Sequence, residues 1–340
     1  MELTKRAVLY VGYICNANCQ FCYYKHTKKK KWKNLALAKL EAFIYRKLFG
    51  NTRVDITGGE PTIYPHILEL VRFCKKIGLR PTLITNGLAL INQKKVLDLK
   101  KAGVFDYLVS IHGLGEIYNK IVGIPNAAKT QQNAIKNLVQ NDIPFRINIT
   151  VTNLNKKQLP DIAKYASKIN AKVVNFICFN PFSSWENFKK IDFQEKHSVA
   201  VFYIRKAIKI LDKNRIESNL RYFPFCCLKG LEEHQYNFPQ LSYDSHEWDF
   251  MSWFRNPRYF FPSLFRRNLP RFYYNQAHSI TKKLYYQCSD KCKECALTNI
   301  CDGLTKQYFN SFGNSELEPY KGELIKNPIT FIKKQFKVND

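Results

Sequence analysis

The stretch AVLYVGYICNANCQFCYY, residues 7–24, decides how this chain is read. Its first half is a run of apolar, β-branched and aromatic residues of strand length, the pattern of a strand buried on both faces. The run passes directly into Cys15, Cys19 and Cys22, three thiols at C-x3-C-x2-C spacing. Three cysteines on one strand-end loop offer three ligands at one place. Electron-carrying iron–sulfur clusters generally take four cysteines. With three local ligands, one iron stays open to an outside ligand, which separates a catalyst from a carrier. Zinc sites favour a C-x2-C pair answered by a second pair or by His at finger spacing. Here the nearby His26 falls in the lysine-rich KHTKKKKWKN (25–34), which reads as exposed.

Five further strand-like runs follow: VDITGG (54–59), PTLITN (81–86), FDYLVSIHG (105–113), PFRINITVT (144–152) and KVVNFICF (172–179). Between them lie segments with apolar residues at helical spacing, 35–50, 65–78, 93–103, 132–141 and 159–169. Strands alternating with helices predict a parallel sheet with helices outside, and a working face at the C-terminal strand ends. The expected fold is α/β, a partial (β/α)6 TIM-like barrel over residues 1–185. A helical linker over 186–220, built on HSVAVFYIRKAIKILDKN (197–214), and a Cys-rich cap domain over 221–340 complete the expected organisation. The stretch 253–276, with arginines, prolines and aromatics interleaved, reads as a loop covering the core or the active site. Its alternatives are an interfacial membrane segment or a stacking surface for nucleic acid.

The second strand runs into GGEP (58–61) and the third into TNG (85–87). Two adjacent glycines let backbone approach a ligand closely. Carbonyls there can accept from an ammonium group, and Glu60 adds negative charge beside it. A C-x3-C-x2-C loop with an aromatic, Tyr23, after its last cysteine, followed by GGEP and TNG on successive strand ends, resembles the radical S-adenosylmethionine (radical SAM) superfamily. The resemblance implies a 4Fe-4S cluster on Cys15, Cys19 and Cys22, with S-adenosylmethionine chelating the open iron. It implies cosubstrate contacts at Gly58, Gly59, Glu60, Pro61, Thr85 and Asn86, and at strand ends four and five through Ser110 and Asn148. It further implies reductive cleavage to methionine and a 5'-deoxyadenosyl radical, which takes hydrogen from a substrate C–H bond. His112, in SIHG (110–113), is the candidate catalytic residue, for substrate binding or proton transfer; a structural hydrogen bond is its plain alternative. Asn148 and Thr150, like Asn175 and Ile177, share a strand face, and polar residues there suggest a lined pocket.

All the cysteines except Cys74 and Cys178 fall in two groups near the chain ends. The second group is Cys226 and Cys227 in RYFPFCCLKG and Cys288, Cys292, Cys295 and Cys301 in CSDKCKECALTNICDG. Its C-x2-C-x5-C core, followed by Asp302 and Gly303, resembles the auxiliary-cluster domains called SPASM and twitch. No cysteine follows Cys301, so the full SPASM pattern is absent and the resemblance implies one auxiliary 4Fe-4S cluster. Cys226, Cys292, Cys295 and Cys301 are its expected ligands, with Cys227 or Cys288 as substitutes and structural zinc as the alternative occupant.

A formal charge of +27 invites an anionic partner, small ligand or membrane surface. The same lysine-rich bias accompanies Asn, Ile, Phe and Tyr and also fits an AT-rich coding sequence. No apolar run reaches bilayer-spanning length and the N-terminus lacks a signal-peptide pattern. The expected location is therefore cytoplasmic, where clustered cysteines mean metal rather than disulfides. The expected partners are a peptide or small-molecule substrate and a ferredoxin- or flavodoxin-type electron donor. The competing class is a basic zinc protein gripping nucleic acid without catalysis; nucleic acid is not the expected partner, because that class leaves GGEP at a strand end unexplained.

Overall fold

The structure is a computed structural model, and it describes residues 6–22, 24, 30–179, 193–236, 279, 282–327 and 330–331. Tyr23, residues 25–29 of the lysine-rich run with His26, the 253–276 stretch and the expected boundary at 185 lie outside the described residues.

The six expected strands are β1 (Arg6–Tyr10), β2 (Arg53–Thr57), β3 (Arg80–Thr85), β4 (Asp106–Ser110), β5 (Phe145–Val151) and β6 (Val173–Cys178). The helices between them are α1 (Leu35–Lys47), α2 (Ile67–Lys76), α3 (Gln93–Ala102), α4 (Gly115–Val122), α5 (Ala127–Gln140) and α6 (Leu159–Lys168). The strands pair in parallel in chain order, as right-handed βαβ crossovers dictate. Two strands continue the same sheet: β7 (Glu217–Arg221), reached through α7 (His197–Lys213), and the two-residue β8 (Gln235–Tyr236). The eight strands form a curled half-barrel with helices outside. The segment expected as a linker thus holds α7 and β7. Ala200, Ile204, Ala207 and Leu211 of α7 bury into the same core as the earlier helices. Periodicity missed β7 because its sequence, ESNLR, is polar.

Alternation sorts each strand. Ile147, Ile149 and Val151 join the apolar core under the helices, which leaves Arg146, Asn148 and Thr150 on the concave face. At the N-terminal strand ends that face is closed by buried ion pairs. Arg146 Nε donates to Asp106 Oδ2 at 2.7 Å, and Arg6 Nη1 lies 3.3 Å from Asp55 Oδ2. Burial raises the Asp106 carboxyl, but Arg146 and Arg6 outweigh it and hold it below the ordinary range. The motifs lie at the other end of that face.

After β8 come a short antiparallel pair, β9 (Tyr286–Gln287) with β10 (Leu304–Thr305), and α8 (Lys306–Phe312). This segment grips the barrel at the start of α7, which has no side-chain cap from its own flank. Glu316 supplies one, accepting from the N–H groups of His197 at 3.2 Å and Ser198 at 3.1 Å. Tyr308 stacks on the His197 ring at 4.0 Å and its hydroxyl donates to Glu316.

Candidate active site and cysteine centres

The three motifs of the first half meet at the C-terminal ends of β1, β2 and β3. Gly59 N–H donates to Gly12 O at 2.7 Å and Glu60 N–H to Ile14 O at 2.9 Å, so GGEP is hydrogen-bonded to the backbone leading into Cys15. The glycines are needed for that approach. A Cβ on Gly58 would lie 2.2 Å from Gly12 O, and one on Gly59 2.0 Å from Ile14 O. The space they leave is thus filled by the cysteine loop's own backbone.

Glu60 is buried, and its carboxylate binds the next strand end. It accepts from Thr62 N–H at 3.0 Å, from Thr85 Oγ1 at 2.6 Å and from Asn86 N–H at 2.7 Å. Burial pushes the carboxyl upward, against the lowering by these donors. Pro61 begins the short turn that Glu60 caps. Asn86 then turns back, its Nδ2 donating to Asn16 Oδ1 at 2.8 Å and to Cys15 Sγ at 3.7 Å. Cys15, Glu60, Thr85 and Asn86 form one connected unit.

Cys15, Cys19 and Cys22 act on one another electrostatically. Burial and the neighbouring thiols push Cys15 up to about 11 and Cys19 to about 12. Three adjacent thiolates need positive charge, which bound iron provides. Among the described residues no three His, Cys, Asp or Glu side chains converge tightly enough for a single ion. Three thiols on one loop, with Asn86 Nδ2 beside Cys15 Sγ, leave one corner of a cubane without a protein ligand. The donor set fits a cluster.

Helix α4 holds the loop from the other side: Asn18 N–H donates to Val122 O and Gln20 N–H to Ile121 O, both at 2.9 Å. Phe21, between the second and third cysteines, is buried with its ring edge-on to His112 at 4.8 Å. Gln131 of α5 is also buried. Its Nε2 lies 2.7 Å from Asn86 O, 2.9 Å from Ser110 O and 2.6 Å from Tyr118 Oη, tying β3 to β4. Sequence reasoning named none of α4, Phe21 or Gln131. The signal for Gln131 was a polar residue at helical spacing with Ala134, Ile135 and Leu138.

His112 accepts from Thr150 N–H at Nδ1, 3.1 Å, which assigns the ring proton to Nε2. Burial pulls its pKa down to about 4, so the ring is neutral at pH 7. Ser110, Asn148, Asn175 and Asn219 are register partners across β4 to β7 and make a polar row on the concave face. Asn219 Nδ2 donates to Asn175 Oδ1 at 2.8 Å. Asn148 Oδ1 is buried with no hydrogen-bond partner among the described residues, the condition a bound ligand satisfies.

The second cysteine group is gathered elsewhere. Cys226, Cys288, Cys292, Cys295 and Cys301 line one cavity with about 410 Å³ of empty space, its open mouth included. All four expected ligands are there. Cys227 is not among the lining residues. Its thiol points to Glu316 O at 3.9 Å and packs with Leu304, Tyr308 and Leu317. Phe225, Leu297 and Ile300 form a small core beside the cavity. The Ala296 backbone pairs with Tyr320 and Ile325, which pins the cysteine turn.

Residues 9–166 match the family described as the Radical SAM superfamily, so this part of the chain is a radical SAM domain. The chain is 30% identical over 159 residues to an AdoMet-dependent heme synthase of Oleidesulfovibrio alaskensis, covering 46% of this chain and 41% of that protein. It is 26% identical over 174 residues to a probable GTP 3',8-cyclase of Saccharolobus islandicus, covering 50% and 55%. The chain spans about half the length of these curated relatives. The crystal structure of Streptococcus suis SuiB bound to precursor peptide SuiA shares the fold, with a TM-score of 0.55 at 18% identity over 68% of this chain and 52% of that one. No helix among the described residues is long and apolar enough to cross a membrane.

Proposed function

We propose that the chain is a radical SAM enzyme that abstracts hydrogen from a C–H bond of a peptide or small anionic substrate. The observation that carries this reading is the connected unit of Cys15, Glu60, Thr85 and Asn86, which ties a three-thiol loop to two strand-end motifs. Cys15, Cys19 and Cys22 hold the 4Fe-4S cluster; reduced, it supplies the electron that cleaves S-adenosylmethionine to methionine and the 5'-deoxyadenosyl radical. Gly58–Pro61 and Thr85–Asn86 bind the methionine end of the cosubstrate, with the buried Glu60 fixing their spacing. Ser110 and Asn148 face the remainder, and Asn148 Oδ1 is the free acceptor. His112 serves as a neutral donor through Nε2–H. Its burial disfavours the imidazolium form that proton shuttling requires.

Cys226, Cys292, Cys295 and Cys301 hold an auxiliary cluster. Five thiols around one cavity offer a full set of thiolate ligands for a cubane. The barrel extends to β8, and the Cys-rich centre takes Cys226 from before that strand and its other thiols from after it. The peptide reading draws on the fold shared with SuiB, which binds a precursor peptide. A ferredoxin- or flavodoxin-type protein is the electron donor, and the cytoplasm, where thiols stay reduced, is the location.

The test is anaerobic reconstitution with iron and sulfide, then dithionite and S-adenosylmethionine, with 5'-deoxyadenosine measured by chromatography. Formation of 5'-deoxyadenosine is expected. Failure to form it, together with an electron paramagnetic resonance signal that S-adenosylmethionine leaves unchanged, would sink the reading.

A further inference from the structure

We propose that the N-terminal face of the barrel carries a binding site for the phosphate group of a small molecule, formed by Arg53 and Arg80. It lies at the opposite end of the strands from the cysteine loop and is independent of the catalytic reading.

Register builds the site. Arg6, Arg53 and Arg80 open β1, β2 and β3, and the parallel pairing sets Arg6 beside Arg53 and Arg53 beside Arg80. The alternation that puts Ala7, Val54 and Leu83 in the core puts the three arginines on the concave face. Neighbouring strands stand about 4.8 Å apart, and like charges side by side across a sheet repel.

The ion pairs of Arg6 with Asp55 and of Arg146 with Asp106 form an inner layer. Arg53 and Arg80 form an outer one. Arg53 stands two residues before Asp55, and Arg80 two before Thr82, whose hydroxyl donates to Asp106. Both outer guanidiniums lie over the Phe105 ring, at 5.5 and 5.3 Å from its centroid. A ring engages the flat face of a guanidinium, and the five N–H donors project in its plane. One aromatic side chain thereby holds two guanidiniums together. Arg53 is half-buried and Arg80 exposed, so solvent reaches the pair.

Among the described residues this cluster joins four guanidiniums to two carboxylates, a surplus of two positive charges. Burial, with Arg6, Arg80 and Arg146 outweighing Asp106, lowers the Arg53 pKa, which places these charges within reach of one another. A carboxylate brings one charge and occupies one guanidinium. A phosphate brings up to about two and has oxygens for both. The surplus and the pairing therefore select phosphate.

Pyrophosphate is the probe, titrated into the full chain at an ionic strength held constant with chloride. Melting temperature and titration calorimetry are read for wild type, Arg53→Gln, Arg80→Gln and Arg53→Lys. Lys136→Gln, at an exposed position of α5, controls for the general basic charge. Wild type and Lys136→Gln are expected to gain about 2 °C or more with pyrophosphate. Both glutamine variants should lose about tenfold or more in affinity, and the shift with it. Without pyrophosphate they should melt at or above the wild-type temperature, since each relieves a repulsion. Arg53→Lys keeps the charge without the planar fork and should also bind more weakly. No shift in wild type, an equal shift in the glutamine variants, or undiminished affinity in Arg53→Lys overturns the site. So does a glutamine variant that melts below wild type in the absence of pyrophosphate, because the protein's own groups would then be holding the row.

Discussion

The two cysteine centres are built in opposite ways. The first takes three thiols from eight consecutive residues, Cys15 to Cys22, and the surrounding fold contributes backbone, not ligands. The second takes thiols from both sides of the β8 region, Cys226 before it and Cys288 to Cys301 after it, and has one more than a cubane can use. A site short of ligands leaves room for a cosubstrate at the metal. Under the proposed reading, a site with a full set of thiols leaves no place at its metal for a cosubstrate. The comparison teaches that, on the proposed reading, the number of thiols each fold gathers is what sets the two centres apart.

The sharpest way to break this comparison is Cys19→Ala. It should abolish S-adenosylmethionine cleavage and remove one cluster's worth of iron while the auxiliary centre stays; full 5'-deoxyadenosine formation would end the distinction. Cys295→Ala should do the converse, losing the other half of the iron and all product while cleavage continues uncoupled, as read by 5'-deoxyadenosine against product.

A smaller effect is expected from the glycine that each centre needs. Gly59→Ala puts a Cβ against the Ile14 carbonyl and should cost about 3 kcal/mol or more. Gly303→Ala strains a left-handed residue against Gln287 O and should cost about 1–3 kcal/mol. Denaturant unfolding gives the costs, and iron counts should show each change emptying its own centre.

The smallest effect is pH dependence at the first centre. His112 has its pKa lowered from 6.5 to about 4 by burial, so the unfolded chain binds the proton more readily. Its contribution is present above about pH 6.5 and is lost as pH falls toward 4, about 2 kcal/mol of it between pH 7 and 5. Denaturation midpoints across that range should fall with pH, and His112→Gln should flatten the slope.

Cys15, Glu60, Thr85 and Asn86 come together in the structure, because each motif ends a strand and parallel strands in chain order deliver their ends to one rim. What they do there differed in detail. Gly58 and Gly59, read as cosubstrate contacts, also pack closely on the carbonyls of Gly12 and Ile14. Phe21 and Gln131 escaped notice because an aromatic in a loop and a glutamine in a helix carry no signal until their burial is known. The expected linker escaped for a related reason: β7 is polar because it lines the concave face.

By itself, the sequence determined the alternation of strands and helices, the three-thiol loop and the order of the motifs, since periodicity and spacing are local properties of the chain. Only the tertiary structure decided that Glu60 bridges two strand ends, that His112 is held neutral, and that Cys226 and Cys288 share a cavity from which Cys227 is turned away. Those facts depend on burial and on contacts between residues far apart in the chain, and desolvation and hydrogen bonding act only once the fold has brought such groups together.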